Sequence, residues 1–319
     1  MTDCLYIKTL NFDKKNLILL NKNFNVIKVN NINACPIKFI KKIKIIILPM
    51  DKFYNQKLLQ KFISLKIIAS PVTGDVHIDK IYIKKQKIKF INLKKNSKIM
   101  KSITATSDLV FAFIFELTRK ILVSSNNFRF KKINFTNKYI AKNSIKDFTV
   151  GIIGLGRIGN HVASRAKSLG MKVYYYDPKV KSKKYLKVSN LTNLFKKSNI
   201  VTIHVHYIKT LKNLINLKFF KIQKKPSYFI NTSRGEFLNE ASLIYSLKKN
   251  ILSGAALDVI QQSFNFSIQP NKNKLLQFYK NNPDENFLIT PKIGGSISDA
   301  RAITEKYLID NLIKIESKL

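Results

Sequence analysis

Apolar runs alternate with amphipathic segments along most of the chain. Short runs rich in Ile, Val and Phe predict strands at 44–48, 66–69, 87–92, 149–153, 172–176, 200–205, 227–231, 254–257 and 287–290. Apolar residues at helical spacing predict helices at 51–62, 107–120, 158–169, 190–197, 239–248 and 298–315. Strands that alternate with helices are typical of parallel sheets, so the pattern predicts an α/β protein with two doubly wound parallel-sheet domains.

The first domain is predicted to be a smaller parallel α/β unit over about the first 100 residues. The second is predicted to hold about six parallel strands, and the helix at 107–120 is expected to bridge the two. The last helix is expected to return to the first domain through one face, formed by Ile303, Tyr307, Leu308 and Leu312.

The segment TVGIIGLGRIGNHVASRAKSLGMKVYYYDP at 149–178 contains a glycine turn between a strand and a helix. Gly154 permits a tight turn, Gly156 lets backbone approach a pyrophosphate, and Gly159 allows close helix packing. Asp177 ends the next strand, where it would accept from ribose hydroxyls and repel a 2′-phosphate. The order therefore predicts a dinucleotide site that prefers NAD to NADP. A glycine turn in some other α/β protein is the alternative.

Composition narrows the remaining classes of function. The chain has 58 basic and 18 acidic residues, a net charge of +40, but the excess is lysine spread over both halves without interleaved aromatic residues. We therefore expect nonspecific attraction to polyanions and no specific nucleic-acid partner. No apolar stretch reaches membrane-spanning length, so no membrane partner is expected. Cys4 and Cys35 have no metal or redox spacing, which predicts no metal site and a reduced, cytoplasmic compartment.

Polar residues cluster where the later strands end: HVH at 204–206, NTSRG at 231–235, LDV at 257–259 and TPKIGG at 290–295. Together with the blocks IIASPVTGDVHID, ITATSDLVFAFIFELTRKI and TVGIIGLGRIG, these segments fall in one order. In that order the chain resembles the NAD-dependent D-2-hydroxyacid dehydrogenases, the family of D-3-phosphoglycerate dehydrogenase. The resemblance runs from about Ile67 to Lys314.

This resemblance implies a flavodoxin-like substrate domain at 1–102 plus 296–319 and a Rossmann NAD domain at 103–295. It implies that Arg234 holds the 2-oxo acid through its guanidinium fork and that backbone N–H groups of a glycine loop hold the carboxylate. That loop comprises Val72, Thr73, Gly74 and Asp75. The residues that it implies for NAD are Gly154, Gly156, Arg157, Ile158, Gly159, Asp177, Val205, His206, Ser233, Asp258 and Gly295. A homodimer is expected on the same ground.

Two positions depart from the family pattern, and they belong to the dyad that moves the proton. The family's glutamate falls on Ser263 and its histidine on Lys292. In one interpretation Lys292 is the general acid, with its pKa lowered by burial and by Arg234. In a second, His206 or His77 reaches the site. In a third, the chain has lost hydride transfer and acts as an NAD-binding sensor or interaction protein.

The sequence analysis therefore favours an NAD-dependent oxidoreductase that transfers hydride between NAD(H) and a small 2-hydroxy or 2-oxo acid. Arg234 and Lys292 are its predicted catalytic residues. The residues do not identify the acid.

Overall fold

The structure is a computed structural model that describes residues 1–93, 98–130, 143–261 and 273–317. The chain divides into two compact units. Unit 1 comprises Met1–Ile103 and Ser296–Leu319, and unit 2 comprises Thr104–Gly295. In the described stretches, no helix is both long enough and apolar enough to cross a membrane.

Unit 1 is built on a parallel sheet whose described strands have the order β2-β1-β3-β4-β5, the order of flavodoxin-like folds. The strands are β1 (Asp3–Ile7), β2 (Asn25–Val29), β3 (Ile45–Ile47), β4 (Ile67–Ala69) and β5 (Lys89–Ile91). The helices are α1 (Lys14–Asn23), α2 (Ile37–Ile40), α3 (Gln56–Leu59), α4 (Lys80–Lys85), α5 (Lys98–Ser102) and the last helix of the chain, Ser298–Glu316. Neither β1 nor β2 is among the predicted strands, although β1 lies inside the sheet, between β2 and β3.

The last helix packs on unit 1 through a face that only partly matches the predicted one. Leu308 and Leu312 are buried as predicted, together with Glu305 and Ile309, whereas Ile303 is 42% exposed and Tyr307 is half-buried. Glu305 is buried because its Oε2 accepts from the Asp13 N–H (2.8 Å) and from Asn16 Nδ2 (3.1 Å). Glu305 therefore joins this helix to α1 and the residue before it through hydrogen bonds, and a pattern of apolar residues cannot identify such a position.

The predicted helix at 51–62 is wrong over most of its length, since the structure has only the four-residue helix α3. Tyr54 instead forms a parallel bridge with Ile78, and its N–H donates to the His77 carbonyl at 2.8 Å. Asn55 then caps α3 by accepting from the Leu58 N–H. Pairing with a distant segment thus overrides the local helical spacing.

Unit 2 holds a parallel sheet whose described strands have the order β12-β11-β10-β9-β6-β7-β8. The strands are β6 (Thr149–Ile153), β7 (Lys172–Tyr176), β8 (Leu186–Lys187), β9 (Ile200–Ile203), β10 (Tyr228–Asn231), β11 (Gly254–Leu257) and β12 (Phe287–Ile289). This is the Rossmann order extended by one strand, with its switch point between β6 and β9. The strand β8 is not among the predicted strands, because its two residues are exposed and form no apolar pattern.

The helices of unit 2 cover both faces of this sheet with separate apolar clusters. They are α6 (Ala105–Arg119), α7 (Ile121–Phe130), α8 (Arg157–Ser168), α9 (Leu191–Lys197), α10 (Leu217–Ile222), α11 (Glu240–Lys248) and α12 (Lys274–Asn281). With these counted, the last helix of unit 1 is α13. Asn190 and Asn239 cap α9 and α11, so both predicted helices are confirmed. The predicted bridging helix is α6, and it belongs to unit 2.

Candidate functional site

The glycine turn after β6 leaves open space at the start of α8. Gly154 has φ of 90°, and a Cβ there would meet Val205 Cγ1 at 2.4 Å, so this position requires glycine. Gly156 is the N-cap of α8, and a Cβ on it would meet no atom within 4 Å. The N-terminus of this 12-residue helix therefore faces a space that an anion could occupy.

Asp177 ties the end of β7 to this turn. Its Oδ2 accepts from the Leu155 N–H at 2.8 Å. Its Oδ1 accepts from the N–H groups of Lys179 and Val180 at 2.8 and 2.9 Å. These bonds fix a carboxylate beside the glycine turn, at the position where the sequence predicts a ribose contact.

Arg234 follows β10 in a tightly bonded turn. Asn231 Nδ2 donates to the Arg234 carbonyl (2.8 Å), and Asn231 Oδ1 accepts from the Ser233 N–H (3.0 Å). Ser233 Oγ in turn donates to the Val205 carbonyl at 2.6 Å. Burial lowers the pKa of the Arg234 guanidinium, and the charge of Glu236 opposes that shift. The turn thus holds a partly buried cation at the carboxyl end of β10.

Asp258 organises the segment that carries Lys292. Its Oδ1 accepts from Thr290 Oγ1 (2.6 Å) and from the Ile293 N–H (2.7 Å), and its Oδ2 accepts from the Gly294 N–H (2.9 Å). Lys292 lies inside this turn with φ of 58°. Burial raises the pKa of Asp258, and the three hydrogen bonds and the Lys292 charge oppose that shift.

Arg234, Asp258 and Lys292 follow three neighbouring strands, β10, β11 and β12, at the same edge of the sheet. The pKa of Lys292 is lowered to about 8, first by burial and then by the Arg234 guanidinium, while the charges of Asp258 and Glu236 oppose part of that shift. An amine with this pKa carries a transferable proton at neutral pH. The arrangement therefore combines an anion-binding guanidinium with a proton donor.

A cavity of about 420 Å³ lies beside Lys292 in unit 2. Its wall is mainly apolar, with Asp258 and Lys292 at its polar side. The other lining residues are Val259, Ile260, Leu276, Tyr279, Ile289, Thr290 and Pro291. An apolar wall next to an ammonium disfavours its charged form, which is consistent with burial as the largest cause of the lowered pKa.

The other predicted site residues are distributed over both units. Val72, Thr73, Gly74 and Asp75 form a half-buried loop after β4 in unit 1, where Asp75 bonds Lys80 at 2.7 Å. His77 of unit 1 is 2% exposed, and its Nε2 lies 3.2 Å from Ser70 Oγ.

The remaining predicted residues belong to unit 2. His206 is exposed and follows β9. Arg157 and Ile158 are the first two residues of α8, and a Cβ on Gly295 would meet no atom within 4 Å. Ser263 lies outside the described residues.

Comparison with known proteins identifies the family. Residues 111–294 match the model of the D-isomer specific 2-hydroxyacid dehydrogenase NAD binding domain. A Staphylococcus epidermidis protein classed as a 2-hydroxyacid dehydrogenase is 31% identical over 256 residues, which cover 79% of this chain and 76% of that protein. The chain belongs to the D-isomer specific 2-hydroxyacid dehydrogenases.

Solved structures agree on the fold. The D-lactate dehydrogenase of Aquifex aeolicus, complexed with NAD and lactic acid, is 22% identical with a TM-score of 0.81, over 99% of this chain and 96% of that one. An acyclic imino acid reductase in complex with NADPH and D-Arg is 24% identical with the same TM-score, over 99% and 98%. Because these neighbours are named for different reactions, they establish the fold of this dehydrogenase family member and leave its substrate open.

Unit 2 of this family member is an NAD-binding domain. The open space at Gly156 and the fixed Asp177 carboxylate fit that cofactor. Two features of the site have no signal in the sequence. One is the structural role of Asp258, because nothing in its spacing from the TPKIGG segment indicates that its carboxylate accepts hydrogen bonds from that segment. The other is Glu236, which directly follows the NTSRG segment.

Proposed function

We propose that this chain is an NAD-dependent oxidoreductase that interconverts a small 2-oxo acid and its 2-hydroxy acid, with Lys292 in place of the family's histidine. The observation that carries the proposal is the placement of Arg234 after β10 and Lys292 after β12, on either side of β11 at the same edge of the sheet. The lowered pKa of Lys292, about 8, supports it. In this scheme unit 1 is the substrate-binding domain.

The residues proposed to hold NAD all belong to unit 2. Backbone N–H groups at Gly156, Arg157 and Ile158 would bind the pyrophosphate, and Asp177 would accept from the ribose hydroxyls. Val205, His206, Ser233, Asp258 and Gly295 would border the rest of the cofactor, with Gly154 and Gly159 shaping the turn. When bound, NADH supplies a hydride for the carbonyl carbon of the substrate.

Arg234 is proposed to bind the carboxylate and carbonyl oxygens of the 2-oxo acid through two parallel N–H bonds. Such a fork fixes the substrate in one plane and polarises its carbonyl. The N–H groups of Val72, Thr73, Gly74 and Asp75 in unit 1 are proposed substrate-binding groups by resemblance to the family.

Lys292 is proposed to donate its proton to the carbonyl oxygen as the hydride reaches the carbon. The oxygen then becomes the 2-hydroxyl group, and the neutral amine regains a proton from water. In the reverse direction the neutral amine removes the hydroxyl proton. A lysine needs no carboxylate partner to be charged at neutral pH, so this step does not require the family's glutamate.

The test is NADH oxidation with a panel of 2-oxo acids. We expect turnover that Arg234→Ala abolishes and that Lys292→Met lowers by at least about 100-fold in kcat. Arg119→Ala, at the C-terminal end of α6, is the matched control and should keep the activity. If NADH binds but no acid turns over, the chain is a noncatalytic NAD-binding relative. The homodimer and the cytoplasmic location stay predictions.

A further inference from the structure

A half-buried glutamate to which the proposed reaction assigns no step lies two residues after Arg234. Glu236 belongs to the one-turn helix Gly235–Phe237, which Arg234 precedes as N-cap. Its Oε2 is buried and accepts no hydrogen bond from the described residues. A buried carboxylate oxygen without a donor is costly unless nearby positive charge compensates it.

The backbone around Glu236 fixes where this carboxylate can lie. A Cβ on Gly235 would lie 1.9 Å from the Ile260 carbonyl carbon, so the turn packs directly on the chain after β11. The Glu236 carbonyl accepts from the Asn213 N–H at 2.8 Å. The next carbonyl, of Phe237, accepts from the Ile215 N–H at 2.9 Å. The turn is therefore bonded on both sides, which fixes the backbone that carries Glu236.

The charged groups that act on this region are two cations and three carboxylates. Glu236 raises the pKa of both Arg234 and Lys292, opposing the effect of burial on each. Asp258 raises the pKa of Lys292 more than Glu236 does, and its two oxygens also accept three hydrogen bonds, whereas the charge of Glu236 acts on both cations. Glu240 begins α11, and its Oε1 accepts from the Gln261 N–H at 2.7 Å.

We propose that Glu236 is a positioning residue whose carboxylate offsets the repulsion between Arg234 and Lys292 where they face the substrate. The proposal rests on the proposed function, because it assigns Glu236 a role in that reaction.

The charge coupling can be measured without turnover. Acetylation of Lys292 by acetic anhydride, followed over pH by peptide mass spectrometry, gives the pKa of its amine in the folded protein. Glu236→Gln keeps the side-chain shape and removes the charge. We expect it to lower the pKa of Lys292 by on the order of 1 unit, so labelling near neutral pH becomes several-fold faster. Glu236→Asp should restore most of the wild-type value.

Glu240→Gln is the matched control, because it removes a nearby carboxylate and keeps an acceptor for Gln261. We expect it to leave Lys292 labelling unchanged. An unchanged pKa in Glu236→Gln, or an equal shift in both glutamine variants, would overturn the proposal. If Glu236→Gln does not fold, Glu236→Ser carries the same measurement.

Kinetics then test the role in the reaction. With an accepted 2-oxo acid, Glu236→Gln should move the alkaline limb of kcat to lower pH by the same amount as the labelling shift. A loss of kcat that is equal at every pH would point to a merely structural role and would contradict the proposal. Absence of turnover in the wild type would refute the proposed function, whereas the labelling result would still report the charge coupling.

Discussion

The pH dependence of the reaction offers the sharpest check on Lys292. If its ammonium donates the proton, reduction of the 2-oxo acid needs the protonated amine, so kcat/KM should fall as pH rises through its pKa. With the pKa at about 8, about nine-tenths of the amine is protonated at pH 7 and about one-tenth at pH 9. The rate of reduction should therefore drop by about tenfold over those two pH units.

The other candidates place this fall elsewhere. A lysine with an ordinary pKa of about 10.4 would keep the rate level to pH 9, and a histidine near 6.5 would lose most of it by pH 7.5. Oxidation of the 2-hydroxy acid needs the neutral amine, so its rate should rise with pH and level off above about pH 8.

The assay is initial-rate NADH absorbance at a fixed ionic strength, from about pH 6 to about pH 10, under kcat/KM conditions. Lys292→His should move the alkaline limb of reduction to lower pH, toward about 6.5. The Lys292→Met variant should lose most of the rate, and its remaining rate should no longer fall near pH 8. A limb that stays near pH 8 in Lys292→Met would refute the assignment, because some other group would then be titrating.

Three further predictions concern the supports of the site and of unit 1. Asp177→Ser should narrow the preference for NADH over NADPH by about tenfold in Kd, measured by fluorescence titration, and an unchanged ratio would contradict its ribose contact. Asp258→Asn loses an acceptor for the Gly294 N–H, so kcat should fall by at least about tenfold while the fold, checked by circular dichroism, is kept. Glu305→Ala leaves Asn16 and the Asp13 N–H without their acceptor, so it should lower the free energy of unfolding of unit 1 by about 3 kcal/mol. The control is Asp310→Asn, which breaks an exposed ion pair with Lys306 on the same helix and should change that free energy by less than about 0.5 kcal/mol.

Fully buried parallel strands were predictable because their sequences are almost continuously apolar. Every residue of β9, β10 and β11 is buried, and all three strands appear where the apolar runs predict them. The apolar pattern fails where a strand is only partly buried, or where pairing with a distant segment determines the local structure. The strand β2 is mostly half-exposed, and the segment around Tyr54 pairs with residues more than 20 positions away.

The same distinction holds for the site. Parallel topology predicts that Arg234 and Lys292 meet at one edge, and the two predicted causes of the lowered Lys292 pKa, burial and Arg234, are the ones the structure has. The sequence could not reveal that both oxygens of Asp258 accept hydrogen bonds from the Lys292 turn, or that Oε2 of Glu236 is buried. Both facts depend on side-chain directions, which spacing along the chain does not fix.

The changes at 263 and 292 are consistent with a single electrostatic requirement. A histidine of pKa about 6.5 must have its pKa raised to hold a proton at neutral pH, and a buried carboxylate does that. A lysine of pKa about 10.4 must have its pKa lowered to release one, and the same carboxylate would oppose this. Burial and Arg234 supply the lowering here. A glutamate restored at Ser263 should therefore move the alkaline limb of reduction to higher pH in both proteins. At pH 7 it should raise the rate of the Lys292→His variant and not that of the lysine enzyme, whose amine is already mostly protonated there. Measuring both in one background separates this account from neutral drift.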